Sequence, residues 1–256
     1  MNIAVVIRQV PDLIEPLEID ASGTSLDMDE VSFLVNETDD HALEQALLLK
    51  ESSGGSVTVV ALDFGEVDDT LYAAAAKGAD RIVKVAYDED RPPSPRQSAA
   101  MLAEAVKQLG AELVLVGVYA HDELEGVMAP LLALELEMPY VGVIRGAKAG
   151  EPGSVTAFKE FPGAVMAQMN VKLPAVLGIL AADQPPRYVP VSRIRNAMKS
   201  TEFEEQEVAA AAIAPAVKLQ RMYHPEVGER AEMLTGSEDE VAARIAEILL
   251  EKGVIK

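Results

Sequence analysis

The sequence predicts an α/β protein with a doubly wound, mostly parallel sheet. Short apolar runs rich in Val, Ile and Leu recur at 3–7, 56–62, 81–85, 112–117 and 174–180, as in strands buried on both faces. Segments with helical spacing stand between most of them, and such alternation implies right-handed crossovers within one sheet. Hydrophobic residues make up 49% of the 256, aromatics only 4%, and Trp is absent. Aliphatic side chains must therefore fill the core.

The first strand, Ile3-Ala4-Val5-Val6-Ile7, begins almost at residue 1 with no basic leader ahead of it, so no secretory signal is expected. Val31, Phe33, Leu34 and Val35 form a further short strand that runs into a polar turn and a helix over 39–51. Asn36 stands at that strand's carboxyl end, where open α/β sheets hold ligands. Thr38 or Asp39 is expected to cap the helix by accepting from a free backbone N–H. The same N–H groups suit a phosphate. The turn therefore reads either as a ligand edge or as a capped loop with no ligand.

Helix 67–77 ends at Gly78, a C′ glycine. Helix 94–109 opens with Ser94 as N-cap and Pro95 at N1, and it closes at Gly110. The strand at 112–117 leads through Gly117-Val118-Tyr119-Ala120-His121-Asp122-Glu123 into a helix expected over 122–136. That turn reads as an acid-capped helix start or as a place for a nucleotide, with His121 a loop residue rather than a base. Residues 155–161 and 164–171, joined by Pro162-Gly163, read as an antiparallel hairpin.

Past 183–188 the periodicity fades until a capped amphipathic helix at 238–252, with Ser237 as its cap. The stretch between carries Val208 to Ile213, Val217, Leu219, Met222 and Tyr223. It reads as an arm that needs another surface or, alternatively, as a connector. The expected division is a domain over 1–199 and a C-terminal arm with its terminal helix over 200–256.

Several chemistries are excluded or disfavoured. There is no Cys, so disulfides and thiolate ligands are out. The three His residues are isolated, and no metal site is expected. A net charge of −20 disfavours nucleic acid. No apolar run is long enough for a membrane span, and a cytoplasmic location is expected. No G-x-G-x-x-G follows the first strand, and there is no G-x-x-x-x-G-K-[ST], G-x-S-x-G or H-E-x-x-H. No catalytic residue is assigned. Glu44, Glu51, Glu104, Glu135 and Glu137 are expected to face solvent.

Taken in order, the opening 3–12 (IAVVIRQVPD), Asn36 to Lys50, Ala74 to Arg81, Leu113 to Ala133, Leu173-Pro174-Ala175-Val176 leading to Pro186-Arg187-Tyr188, and Thr235 to Ile255 resemble the β subunit of electron transfer flavoprotein. That family includes the nitrogen-fixation-linked FixA proteins, and the resemblance covers nearly the whole chain. It implies a fold of the adenine-nucleotide hydrolase and universal-stress-protein class. It implies a heterodimer with an α subunit that carries most of the contacts to FAD, with the C-terminal arm wrapped around that partner. Electrons would pass from an acyl-CoA or other flavin dehydrogenase to a quinone oxidoreductase or a ferredoxin-linked acceptor.

The resemblance further implies an adenine nucleotide in the β subunit, AMP or a second FAD. By position its pocket would use Val6, Asn36, the turn 63–66 with Asp63 and Gly65, Ala120, Asp122, Glu123, Gly126, Val127 and Met128. It also implies partner docking by Tyr188, Val191 and Arg193, with Val191 where the family carries a leucine anchor. The chain departs from the family pattern at named positions: Asn36-Glu37-Thr38 for Asn-Pro-Phe, Asp63-Phe64 for Gly-Pro, and Val127-Met128 for Gln-Thr. Pro162-Gly163-Ala164 replaces Asp-Gly-Gly. Asp63 brings a charge that repels phosphate.

Two other readings share the fold. One is a stand-alone adenine-nucleotide-binding regulator of universal-stress-protein type, which gains nothing from a long apolar arm. The other is an enzyme that activates its substrate with ATP, which lacks a phosphate loop here.

Overall fold

Alternation along the first strand sets the layers. In β1 (Asn2–Val6), Ile3 and Val5 pack on one face of the sheet and Ala4 and Val6 on the other. All four are fully buried, as a period-2 strand covered on both sides requires. The computed structural model describes residues 1–65, 67–87, 92–123, 125–208, 219–226, 228, 231 and 233–255.

β1 pairs in parallel with β4 (Ser56–Leu62) on one side and β6 (Leu113–Gly117) on the other. β5 (Arg81–Val85) lies beyond β4, and β10 (Ala175–Ala181) beyond β6, both parallel. These are the apolar runs of the sequence. α1 (Glu37–Ser53) and α2 (Val67–Lys77) cover the Ile3/Val5 face. α3 (Pro95–Leu109) and α4 (Met128–Leu136) cover the Ala4/Val6 face. The sheet is thus doubly wound, as expected.

Local chemistry fixes the helix ends. The Ser94 hydroxyl accepts from the Gln97 amide while the Gln97 side chain accepts from the Ser94 amide, and Gly110 closes α3 in the left-handed region at φ 59°.

The sheet runs further than its apolar runs suggest. β7 (Tyr140–Ala149) pairs in parallel with β10, and β8 (Ser154–Phe161) and β9 (Val165–Lys172) follow antiparallel. β8 and β9 form the expected hairpin. β11 (Glu204–Gln206) joins the opposite edge beside β5. The full order is β11-β5-β4-β1-β6-β10-β7-β8-β9.

Three expectations are corrected. The strand ending at Val35 is not part of the main sheet; β3 (Phe33–Val35) pairs antiparallel with β2 (Gln9–Pro11), which continues from β1. The helix expected from 122 begins at Met128, because Gly126 takes a left-handed φ of 58° and Glu123 is drawn away by Arg8. An amphipathic helix, α5 (Val191–Ser200), occupies a stretch expected to lack periodicity. Its Ala197 packs with Ala76 of α2 and with Val189.

The chain forms two compact units, Met1–Arg221 and Met222–Lys256. The first holds the sheet. The second holds α6 (Glu238–Glu251), whose start is closed by a Ser237–Glu240 capping box and which buries none of its residues. The apolar arm positions 209–213 and Val217 lie outside the described residues. No helix among the described residues is long and apolar enough to cross a membrane.

Candidate functional site

From β1 the chain crosses to β4, and from the far side of β1 the strand β6 leads away towards β10. The carboxyl ends of β1 and β6 therefore flank the crevice that a doubly wound sheet offers to ligands. Arg8, two residues past β1, reaches into it.

Each nitrogen of the Arg8 guanidinium already has a protein acceptor. Nε donates to Asp39 Oδ2 at 2.9 Å and Nη1 to Glu123 Oε1 at 2.8 Å. Nη2 donates to Asp39 Oδ1 at 3.2 Å and to the carbonyl of Gly117 at 3.1 Å. Asp39, fully buried in the first turn of α1, also accepts from the Arg8 amide at 3.0 Å and the Gly117 amide at 2.6 Å. Asp39 thus bonds to the ends of both strands instead of capping its own helix. A Cβ at Gly117 would collide with Thr38 Oγ1 and Asp39 Oδ1, so only glycine fits there.

Asn36 occupies the N-cap position without a side-chain cap bond. Its Nδ2 donates instead to the Tyr119 carbonyl at 2.9 Å, and Thr38 Oγ1 donates to the same carbonyl at 2.8 Å. His121 Nε2 meets the Pro11 carbonyl at 2.8 Å, a loop tie as expected.

The electrostatics follow from burial. Desolvation alone would lower the Arg8 pKa, but Asp39 and then Glu123 more than offset it and hold it above its ordinary value. Burial pushes the Glu123 carboxyl up, more than Arg8 pulls it down. Burial also raises Asp122, against the pull of Arg8. Glu123 Oε2 is buried with no hydrogen-bond partner among the described residues.

The structure gathers some of the expected site residues and separates others. Asn36, Ala120, Asp122 and Glu123 meet around the ends of β1 and β6. Val6 and Met128 send their side chains into the core between the sheet and α3/α4. Val127 is the uncapped residue before α4, and Gly126 packs on Tyr119. Asp63, past β4, turns to Lys84 at 3.3 Å. Gly65 abuts Phe33 and Gln9. Glu66 and Leu124, inside the expected stretches, lie outside the described residues. Arg8, the organiser of the edge, was missed by sequence reasoning; its one signal is a cation directly after a buried strand.

These residues do not fit a nucleotide phosphate. The Arg8 donors and the Gly117 amide are taken by the chain's own oxygens. The segment 120–127 carries Asp122, Glu123 and Glu125 and no Lys or Arg.

The second candidate surface lies at α5. Arg187 anchors the segment before it: the amide and Nε reach Glu44 Oε2 at 2.9 Å, Nη2 reaches Oε1 at 2.8 Å, and Nη1 reaches Glu51 at 2.7 Å. Glu44, expected to face solvent, is buried because this cation neutralises it. Burial pushes its carboxyl up, but the Arg187 hydrogen bonds more than offset that and hold it below its ordinary value. Beyond the anchor Tyr188 is 85% exposed and Val191 59% exposed. Arg193, Arg195 and Lys199 of α5 are exposed and form no ion pair among the described residues.

Residues 25–213 match the family model for the electron transfer flavoprotein domain. The chain is 32% identical over 263 residues to an electron transfer flavoprotein subunit beta from Methylophilus methylotrophus, covering 98% of each chain. It is 25% identical over 254 residues to the subunit of that name from Bacillus subtilis, covering 97% of each. A third such subunit, from Thermoanaerobacterium thermosaccharolyticum, is 28% identical over 204 residues, covering 80% of this chain and 77% of the relative.

Proposed function

The chain belongs to the electron transfer flavoprotein family, on the β-subunit side, and from that premise we propose that it pairs with a flavin-carrying α subunit to relay electrons. It performs no bond chemistry of its own. The FAD sits mainly on the α partner and supplies the redox chemistry there. This chain contributes a rigid platform and docking surfaces. It takes electrons from an acyl-CoA or other flavin dehydrogenase and delivers them to a quinone oxidoreductase or a ferredoxin-linked acceptor, in the cytoplasm.

The observation that carries the docking role is the α5 region. Tyr188 and Val191 stand out from the surface, and the bidentate Arg187–Glu44 pair fixes the segment that presents them. Exposed apolar side chains on a rigid mount suit a partner's pocket. Valine offers less apolar surface than leucine, by about one methylene or ~0.8 kcal/mol, so the partner pocket is smaller than one shaped for leucine. The unit Met222–Lys256 supports pairing over a stand-alone regulator, because α6 leaves Ile245 and Leu250 exposed.

The test is Val191→Glu in the complex with the α subunit. Reduction by the native dehydrogenase should fall at least about tenfold, the equivalent of ~1.4 kcal/mol, with the heterodimer intact. An unchanged rate would remove the docking role of this loop.

A further inference from the structure

We propose that the crevice at the ends of β1 and β6 is closed by the chain's own charged network, and that this β subunit folds and pairs without a bound adenine nucleotide. Three features of the edge support this.

The first is the use of donors. A nucleotide phosphate needs backbone amides or cationic side chains turned towards it. Asp39 takes the Gly117 amide and two arms of Arg8, and Glu123 takes the third. The Tyr119 carbonyl likewise absorbs Asn36 and Thr38. The anion of this edge is already present, as Asp39.

The second is the local charge. Arg8 faces Asp39 and Glu123 directly, with Asp122 close enough to perturb the same groups. Against one cation stand three carboxylates, and Glu123 Oε2 has no hydrogen-bond partner among the described residues. An arriving phosphate would add like charge at a poorly hydrated place.

The third is the turn after β4, the other expected wall of a pocket. Phe64 packs edge-on between Phe33, with centroids 5.9 Å apart, and Tyr87, at 6.0 Å. Asp63 is turned outward to Lys84. Rings fill the place where a close backbone approach would be needed.

On this account the Arg8–Asp39–Glu123 network does the work of a structural ligand: it ties α1, β1, β6 and the loop before α4 into one piece. The test uses the chain alone and the co-expressed complex with its flavin-bearing partner. Acid extraction followed by mass spectrometry should find no adenine nucleotide bound to the chain alone, and one flavin with no AMP in the complex. Melting the chain with AMP, ADP or FAD should leave Tm unchanged, whereas a ligand at about a hundred times its Kd would raise it by roughly 5–10 °C. Arg8→Gln should lower Tm by roughly 10 °C, and AMP should not restore it.

Stoichiometric AMP, a second flavin, or a nucleotide-dependent Tm would overturn the inference while leaving the electron-transfer reading intact. Wild-type melting of Arg8→Gln would overturn the network's role. A folded, nucleotide-free chain that forms no complex would sink the electron-transfer reading, and with it the pairing stated here, while the closed crevice would stand.

Discussion

Arg187 and Glu44 face each other across a gap of 143 positions in sequence, with Nε and Nη2 on the two oxygens of one carboxylate. The pair joins the interior face of α1 to the segment that leads into α5. Glu44 has 4% of its side chain exposed, so removing its partner leaves a charge that water cannot easily reach. Arg187→Ala should cost roughly 2–3 kcal/mol, towards the low end for a broken buried pair because Arg187 itself is part-exposed. The urea midpoint measures it. Glu44→Gln should cost less.

Acid should act in two stages of opposite sign. Asp122 and Glu123 have folded pKa values raised by burial, so the folded chain binds protons before the unfolded one. Stability through these groups rises as pH falls from neutrality through their folded values. Glu44 is held below its ordinary value, so its contribution is present above the unfolded pKa and disappears as pH falls through the folded one. Tm should hold or rise from pH 7 to about 5 and then drop below about pH 4.

Glu123→Gln isolates the first stage. The amide oxygen can still accept from Arg8 Nη1, and the buried charge is gone. Stability at pH 7 should be unchanged or slightly higher, and its slope between pH 7 and about 5 should flatten. A slope equal to wild type would place the raised carboxyl elsewhere.

Asp39 and Gly117 act as one contact. Asp39→Ala strands Arg8 and the Gly117 amide together, and a loss of roughly 3–5 kcal/mol is expected in chemical denaturation. Gly117→Ala drives a methyl group into Thr38 and Asp39 and should cost about 1–3 kcal/mol by overpacking. Near-wild-type stability of both would show the edge to be looser than described.

The basic character of α5 contrasts with a chain of net charge −20. Arg193, Arg195 and Lys199 are exposed on the helix that opens with the exposed Val191. Charge at an interface rim acts mainly on encounter rates. Arg193→Glu should slow association with the dehydrogenase several-fold at low salt, with the difference vanishing near 1 M salt. Stopped-flow flavin reduction across an ionic-strength series reads this out.

Legibility in the sequence followed burial. Strands β1, β4, β5, β6 and β10 showed themselves because each is apolar on both faces, and α3 because Ser94, Pro95 and Gly110 spell out its ends. β7 was missed because much of it is open to solvent and Gly142, Arg145 and Gly146 interrupt its pattern. α5 was missed because it buries only Ala197, and its Arg and Lys residues masked the spacing of Val191, Ile194 and Met198. The start of α4 was misplaced because the turn's acids resemble caps, whereas Glu123 is drawn to Arg8, 115 residues away. The Arg8–Asp39 and Arg187–Glu44 pairs are tertiary facts. Beyond Arg8's place directly after a buried strand, nothing local marks their partners.

Pairing with a flavin carrier is tested by co-expression with an electron transfer flavoprotein α-type chain, a tag on this chain alone, and size-exclusion chromatography with flavin absorbance. A one-to-one complex should elute yellow and be reduced by a flavin dehydrogenase. A colourless monomer that recovers no flavin-bearing partner would contradict the pairing.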